Sequence, residues 1–422
     1  MVNMSVNSYL IPGETFSSEN QSYRYQTTLS DEQINEKYKR GEIRIVTEQA
    51  RYPLDTIETM LDSKQGDRKK YLLNPEYQRR KRWDNTRKSR LIESFIMNVP
   101  IPPIFLYEVY YSIYEVMDGQ QRLTAIYDFY KGRFELKGLE YWQELNGRKY
   151  HNLPEQVKRG IDRRYLSSIV LLQETAKTPE EAESLKRIVF ERLNSGGEKL
   201  TPQETRNALY NGKFNQLCME LARNDLFRKM WQLPLESEVE DLLLKSEEEL
   251  KQEDKSDVSA RLELYRKMED VELVLRFFAY RYLGQLKSPL DGFLDNYLRQ
   301  ANSWPDKVLN ELESVFNQTI GLVHTVFGDT AFLGPSRSRQ SKTPRKSVYD
   351  PLMQVFSRNL IYKDRIIENA TIIKENIYSN EKNLYLEYKN RYLFDGRYND
   401  RTDVQLRIDY FDNFLQSYIK VA

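Results

Sequence analysis

The spacing of apolar and polar residues predicts an ordered run of helices and strands between residues 71 and 130. Helical stretches repeat their apolar residues at i, i+3, i+4 and i+7, whereas strands appear as short apolar runs bounded by turn residues. The predicted elements are, in order, a helix capped by Asp84 or Asn85 and ending near Asn98, strands over 103–109 and 112–117, a turn at 118–119, and a helix through Tyr130. The region therefore combines strands and helices.

Beyond residue 179 the pattern is mainly helical. Thr201-Pro202-Gln203-Glu204 has the form of a capping box. In that motif a Ser or Thr side chain accepts a hydrogen bond from the backbone three residues later, and the Glu side chain there accepts one from the Ser or Thr backbone N–H. We expect an acidic segment at 236–257 to be a solvated helix or linker, and a basic segment at 336–347 to be an exposed, flexible loop.

These patterns predict an α+β protein whose C-terminal half is mainly α-helical. The predicted domains are an N-terminal arm and lead-in over 1–60, whose first 30 residues form a loose arm, a core over 61–178, and a helical domain over 179–422. A chain of 422 residues is long enough for two or three domains of ordinary size.

Composition excludes several classes of chemistry. The 64 basic and 63 acidic residues rule out a generally basic coat for nucleic acid, although a local basic face remains compatible with them. The single cysteine rules out disulfide frameworks and CxxC zinc clusters, and it fits a cytoplasmic protein. No apolar run is long enough to span a membrane, and the first residues lack the pattern of a signal peptide.

Histidine is the most informative count. The chain has two, His151 and His324, and they are far apart in sequence. An HNH nuclease needs a histidine base and usually a second histidine near its metal, so an HNH site in this chain is disfavoured. The neighbours of His324 predict a buried helix, and we expect His324 to be a core residue.

The sharpest candidate for chemistry is the segment 116–125, Val-Met-Asp-Gly-Gln-Gln-Arg-Leu-Thr-Ala. A strand ends here, glycine turns the chain, and a helix begins. The first turn of a helix has unpaired backbone N–H groups and the positive end of the helix dipole. Arg122 adds a planar cation to that end, so the segment is suited to bind phosphate.

The remaining polar residues of this segment have more than one interpretation. Gln120 and Gln121 can hydrogen-bond a base, a ribose or an attacking water. Asp118 would repel a phosphate unless it caps the helix or a metal ion lies between them. Residues alone favour the cap, and a Mg²⁺ ligand is the alternative.

Two further segments carry weaker signals. Residues 77–90 hold seven Arg or Lys with Tyr77 and Trp83 among them, a composition that suits phosphate contact with stacking on aromatic rings. The alternative is a solvated helix entrance with Trp83 packed on the core. The Gly-rich stretch 192–201 can cradle an anion, but a plain connection between helices explains it better.

Together these segments resemble the N-terminal domain of GmrSD-type restriction enzymes. The resemblance rests on Asn74-Pro-Glu-Tyr-Gln-Arg-Arg, on Leu91-Ile-Glu-Ser followed by Pro100-Ile-Pro, on Asp118-Gly-Gln-Gln-Arg, and on Phe190-Glu-Arg-Leu-Asn-Ser-Gly-Gly-Glu-Lys-Leu-Thr-Pro. It covers about 71–210. That family is similar in fold to the ParB and sulfiredoxin group, which implies a ParB/sulfiredoxin-like nucleotide-binding core for residues 61–178.

The resemblance implies an NTP-hydrolysing core of a prokaryotic defence system that acts on foreign or modified DNA. The NTP would be GTP, ATP or CTP with Mg²⁺, and Asp118 would be the metal ligand. The residues expected to be catalytic are Asp118, Gln120, Gln121 and Arg122. Those expected to bind nucleotide are Gly119, Gln78, Arg79, Thr124, Asn194 and Thr201, and those expected to bind DNA are Arg80, Lys81 and Arg82.

Two other functions stay open. One is a non-enzymatic subunit that binds nucleotide or DNA and regulates a separately encoded nuclease. The other is a metal-dependent DNA endonuclease that uses the same core, although that chemistry usually needs two clustered carboxylates and only Asp118 stands out. Assembly with a nuclease subunit or into a homo-oligomer is compatible with each of them.

Overall fold

The computed structural model describes residues 9–18, 30–40, 45–73, 80, 83–172, 178–193, 200–244, 256–287, 289–334, 343–379, 385–386, 391–394 and 400–419. The chain divides into two compact units. The sheet unit comprises residues 22–209, and the helical unit comprises residues 1–21 together with 210–422. No helix in the described part of the chain combines the length and apolar character needed to cross a membrane.

The sheet unit alternates strands and helices as the sequence predicts. Its strands are β1 (Thr47–Pro53), β2 (Lys64–Gln65), β3 (Arg68–Lys69), β4 (Tyr71–Leu72), β5 (Ile104–Tyr110), β6 (Ile113–Asp118) and β7 (Tyr165–Leu171). Its helices are α1 (Asp31–Arg40), α2 (Ile57–Asp62), α3 (Asn85–Ile96), α4 (Gln120–Tyr130), α5 (Glu155–Asp162), α6 (Pro179–Leu193) and α7 (Pro202–Leu209). The predicted helices and strands of the 84–130 region are confirmed to within about two residues.

Five strands form one mixed sheet in the order β1-β7-β5-β6-β4. The pairs β1–β7 and β5–β6 are antiparallel, whereas β5–β7 and β4–β6 are parallel. The order places β5 at the centre, next to β6. The turn that follows β6 therefore lies beside the start of β5, where Phe105 pairs with Asp118.

One face of the sheet carries the hydrophobic core. Ile104 and Leu106 of β5 are fully buried while their neighbours are only half-buried, which is the alternation expected of a strand with one face toward a core. Ile92 of α3 and Ile126 of α4 belong to the same cluster. The apolar faces of α3 and α4 thus pack against the buried face of the sheet in a single hydrophobic layer.

Side-chain hydrogen bonds hold helix α3 in place near both of its ends. The Asp84 carboxylate accepts a hydrogen bond from the Arg87 backbone N–H at 2.7 Å, so the predicted cap is confirmed and is Asp84. Further along, the buried Glu93 carboxylate accepts hydrogen bonds from the backbone N–H groups of the next loop. The donors are Glu140 at 3.2 Å, Tyr141 at 2.8 Å and Trp142 at 2.9 Å.

Helix α6 packs on the opposite face of the sheet. Lys186 Nζ lies 2.6 Å from Glu115 Oε2 in a largely buried ion pair, and it also lies over the Tyr107 ring. Burial, followed by the Glu115 carboxylate, raises the pKa of Tyr107. Because of this packing α6 and α7 belong to the sheet unit, so the division between units falls after residue 209, whereas the sequence places a boundary after 178.

The helical unit accounts for the rest of the chain. Its helices are α8 (Lys213–Leu221), α9 (Asp225–Met230), α10 (Glu236–Leu244), α11 (Ser256–Arg266), α12 (Glu269–Ala279), α13 (Leu290–Ala301), α14 (Asp306–Phe327), α15 (Lys346–Arg358), α16 (Lys363–Glu368), α17 (Ala370–Asn376) and α18 (Arg401–Ile419). Two short strands, β8 (Tyr385–Leu386) and β9 (Arg391–Tyr392), pair with each other. The predicted α+β organisation with a helical C-terminal half is confirmed, and the ParB/sulfiredoxin-like fold of the core stays a prediction.

The N-terminal segment corrects one expectation. Residues 9–18 are not a loose arm, because they pack into the helical unit. Both Arg281 Nε and Nη2 donate to the Glu14 carboxylate, at 2.9 and 2.8 Å, and both side chains are almost completely buried. Phe16 packs edge-on against Tyr282. The partners of this segment lie more than 260 residues away in sequence, so local composition could not reveal them.

Two other expectations for the helical unit change. His324 is not a core residue: its side chain is 32% exposed and its Nε2 lies 3.1 Å from Asp329 Oδ1. The predicted loop 336–347 gives way to α15 at Lys346, whose Nζ contacts Glu269 and Glu272. Residues 335–342 lie outside the described part of the chain.

The acidic segment 236–257 begins as helix α10, and its residues 245–255 are outside the described ranges. Glu236 forms an ion pair, because its carboxylate lies 2.7 Å from the guanidinium of the buried Arg228. Val239 packs with Leu262 and Tyr265. The first part of the segment is therefore a packed helix.

Replacing the buried Glu93 by Ala should lower the free energy of unfolding of the sheet unit by about 3 kcal/mol, because it leaves three part-buried N–H donors without their charged acceptor. Urea or thermal unfolding measures the change. Glu140→Ala is the matched control: it removes an exposed carboxylate paired with Arg90 and keeps the Glu140 N–H. Equal stability of the two variants would contradict the assigned role of Glu93.

Candidate nucleotide-binding site

The turn between β6 and α4 depends on Gly119. Its φ is +93°, in the region that side chains rarely adopt, and it stands at the N-cap position of α4. A Cβ added here would lie 2.4 Å from Ile104 Cγ2 and 3.0 Å from Arg122 Nη2. Glycine thus allows the strand to turn directly into the helix while the start of β5 lies against the turn.

Arg122 lies in the first turn of α4 and points toward that strand. Its Nη2 donates to the Pro103 carbonyl at 3.2 Å and to Asp118 Oδ2 at 2.9 Å. The side chain is 16% exposed, and its buried Nε has no hydrogen-bond partner within the described part of the chain. The guanidinium is therefore held in place with one donor direction still unused.

Asp118 does not cap the helix. The N-cap is Gly119, no side chain caps the N-terminal turn of α4, and the Asp118 carboxylate instead forms an i, i+4 ion pair with Arg122. The cap interpretation is therefore wrong. The carboxylate remains 42% exposed, so it is accessible for a further ligand. Asp is a preferred N-cap residue, but here Gly119, with its positive φ, occupies the N-cap position and Asp118 precedes it.

The two glutamines are placed differently. Gln121 Oε1 accepts a hydrogen bond from the Trp83 backbone N–H at 3.1 Å, which ties α4 to the end of the basic segment. Only 7% of Gln120 is exposed, and its Oε1 accepts no hydrogen bond from the residues that the structure describes. A buried carbonyl without a donor is uncommon in folded proteins. Gln120 and Arg122 thus both carry an unsatisfied polar atom in the same helical turn.

The basic segment is described in part. Trp83 is half-buried and packs against the core, with the Arg87 guanidinium 4.9 Å from the centre of its ring. That contact favours the packed interpretation of Trp83. Arg80 is half-buried at the start of the same stretch. The predictions for Gln78, Arg79, Lys81 and Arg82 fall on residues outside the described ranges.

Of the softer candidates, Thr124 lies on α4 itself, whereas Asn194 and Thr201 are distant from the Gly119 turn in sequence. Thr124 is half-buried on α4. Thr201 forms the predicted capping box: its N–H donates to Glu204 Oε2 at 2.7 Å, and its Oγ1 accepts from the Glu204 N–H at 3.2 Å. Asn194 is outside the described residues.

Sequence reasoning missed the contribution of β5 to this site. The Pro103 carbonyl and the Ile104 side chain fix Arg122 and Gly119 respectively. The signal was present in Pro100-Ile-Pro-Pro, which forces an extended chain directly before the strand.

A magnesium ion would find one carboxylate here. Among the described residues there is no group of three or more His, Cys, Asp or Glu that could hold a metal ion. Mg²⁺ commonly binds through one or two carboxylates together with water and substrate phosphates. The exposed Asp118 carboxylate fits such a partial site, and the remaining ligands would come from nucleotide and solvent.

The fold and the turn define a mixed α/β domain with several polar side chains at a strand–glycine–helix junction. Residues 57–211 match the model of a protein family described as GmrSD restriction endonuclease, N-terminal domain. The predicted resemblance to this domain is confirmed for residues 57–211. No curated protein and no solved structure matches the chain.

The matched range ends close to the boundary of the sheet unit, so the family and the compact unit largely coincide. A match to a restriction-endonuclease domain implies a DNA-related role in restriction and antiphage defence.

Gly119→Ala should lower the free energy of unfolding by about 3 kcal/mol, because backbone strain adds to a clash with Ile104. Gly147→Ala separates the two causes: Gly147 also has a positive φ, +82°, but a Cβ there would meet nothing within 4 Å. Thermal unfolding of both variants measures the difference. A loss no larger for Gly119→Ala than for Gly147→Ala would show that the contact with Ile104 imposes no constraint.

Proposed function

We propose that the sheet unit binds and hydrolyses a nucleoside triphosphate as part of a defence system that acts on foreign DNA. The observation that carries the proposal is the pair of unsatisfied buried atoms, Arg122 Nε and Gln120 Oε1, in the first turn of α4. One is a donor and the other an acceptor, and both are adjacent to an uncapped helix N-terminus. A phosphate with an attacking water supplies both missing partners.

Phosphate would bind at the N-terminal turn of α4. Backbone N–H groups at such a turn point out of the helix, and the helix dipole favours an anion there. Arg122 is already positioned by the Pro103 carbonyl, so little side-chain entropy is lost when it contacts a phosphate. A fixed cation at the transferring phosphoryl group is the main catalytic device in this kind of reaction.

Asp118 and Gln120 would have distinct roles. The Asp118 carboxylate would be one ligand of Mg²⁺, which neutralises phosphate charge when it is bound. Gln120 Oε1 would accept a hydrogen bond from the attacking water and orient it. Gln121 is engaged with the Trp83 backbone, so we assign it to positioning α4 and not to water.

The identity of the NTP among ATP, GTP and CTP is part of the experiment. We further propose that Arg80, Lys81 and Arg82 contact DNA, and that a separately encoded nuclease subunit carries out cleavage, because the chain has only two histidines. Assembly into a homo-oligomer remains a separate prediction.

Arg122→Lys should reduce phosphate release from the preferred NTP by roughly 100-fold or more, because a lysine ammonium cannot reproduce the planar, multidentate contact of a guanidinium. Lysine keeps a charge for Asp118, so the variant should stay folded. The measurement is phosphate release with Mg²⁺ and each of ATP, GTP and CTP.

Arg133→Ala is the control for this experiment, since Arg133 is an exposed arginine of the same unit paired with Asp128. Wild-type turnover in a folded Arg122→Lys variant would refute the assigned role. Tight binding of nucleotide by the wild-type chain with no turnover would instead favour the non-enzymatic regulatory subunit.

Gln120→Leu should separate stability from activity. Leucine removes the unsatisfied carbonyl and fills a similar volume, so the free energy of unfolding should stay level or rise by about 1 kcal/mol. Turnover should fall, because the water loses its acceptor. Chemical unfolding and phosphate release are measured on the same preparation. A destabilised variant that keeps full turnover would contradict both halves of the prediction.

A further inference from the structure

A polar cavity lies elsewhere in the sheet unit, away from the Gly119 turn. It has a volume of about 470 Å³, within the range of ordinary ligand sites, and its walls come from β1, the α3–β5 connection and the start of β7. We call it the arginine cleft, after Arg51, Arg163 and Arg164 in its walls. Tyr165 also lines it. None of the residues discussed above for nucleotide binding belongs to this cavity.

The charge of the arginine cleft is uncompensated. No carboxylate is among the residues that line it. Within the described ranges, Arg51 and Arg163 form no ion pair, although the chain as a whole has 63 acidic residues for 64 basic ones. Two other exposed arginines of the same unit do have a carboxylate partner. Arg90 pairs with Glu140, and Arg133 pairs with Asp128.

The walls of the cleft are held by backbone structure. Arg51 of β1 stands opposite Ser167 of β7 in the antiparallel register, so both point to the same face of the sheet. Arg164 Nε donates to the Phe95 carbonyl at 3.2 Å, near the end of α3. That helix ends at Ile96, and Asn98, just beyond its C-cap, has a φ of +61°, which is typical of the residue that follows a helix. The cationic wall is thus preorganised.

The shape of the cleft favours a chain and not an enclosed small molecule. Arg51 and Arg163 are exposed, and Tyr165 and Val99 at the rim are 57% and 46% exposed. Guanidinium groups along an open concave surface match the regularly spaced phosphates of a nucleic-acid strand. An exposed aromatic ring beside them suits contact with a sugar or a base.

We propose that the arginine cleft binds the backbone phosphates of DNA, through Arg51, Arg163 and Arg164. The choice of DNA as occupant rests on the proposed role in DNA restriction, whereas the preference for a phosphate-bearing strand rests on the cleft itself. This surface is additional to the proposed contacts at Arg80, Lys81 and Arg82. It gives the sheet unit a DNA contact that does not depend on bound nucleotide.

The test uses the full chain and a fluorescent duplex oligonucleotide, without nucleotide or Mg²⁺, over a series of salt concentrations. The variant Arg51→Ala/Arg163→Ala should bind more weakly. The slope of log K against log salt should fall in magnitude by about 2, since roughly one counterion is released for each phosphate contacted. Arg164 is retained because it also bonds to Phe95.

The charge-matched control is Arg90→Ala/Arg133→Ala, which removes two exposed cations of the same unit and should leave the slope near that of the wild-type chain. Equal losses in the two double variants would overturn the proposal, since they would show an effect of net charge alone. So would an unchanged slope in the cleft variant, or a wild-type chain that binds no DNA. A fourth overturning result is a fluorescent mononucleotide that binds in the cleft while DNA binding is unaffected.

Because DNA binding is measured without nucleotide, its outcome is separate from the question whether residues 118–122 hydrolyse an NTP. Failure of one proposal therefore leaves the other to be decided on its own experiment. Circular dichroism and thermal unfolding establish that both double variants are folded, which is expected because the replaced side chains are exposed.

Discussion

The close approach of Gly119 to Ile104 is the constraint on which the site depends. Where a side chain would clash with β5, glycine lets β6 end and α4 begin without an intervening loop. The first turn of α4 is consequently placed against the central strand of the sheet, and the Pro103 carbonyl can hold Arg122. A longer connection would leave the same residues in a loop, where their side chains would be less well ordered.

The Asp118–Arg122 ion pair neutralises the guanidinium, and the proposed phosphate would have to displace this carboxylate. With Asp118 42% exposed, the pair contributes at most about 1 kcal/mol, so exchanging it for a phosphate contact costs little. Arg122 is the more buried partner and keeps its bond to Pro103 in either arrangement. Asp118 therefore neutralises the guanidinium in the free protein and would compete only weakly with the proposed ligand.

Local sequence patterns were sufficient for the elements around the site, and insufficient wherever a distant residue decides the outcome. The α3 cap at Asp84 and the capping box at Thr201 follow from residues within one helical turn, and both were predicted. The cap at Asp118 was wrong because the conformation of Gly119 and the reach of Arg122 decide that turn. The arginine cleft is built from three separate segments, so no window of sequence could indicate it.

The Glu14–Arg281 contact has a consequence for synthesis of the chain. Its two residues are 267 positions apart, and the whole sheet unit is made between them. At the usual rates of translation, Glu14 leaves the ribosome roughly 10 to 50 s before Arg281 exists. The sheet unit is contiguous in sequence and is completed within that interval. The order of synthesis thus lets the sheet unit fold while the N-terminal segment still lacks its partner.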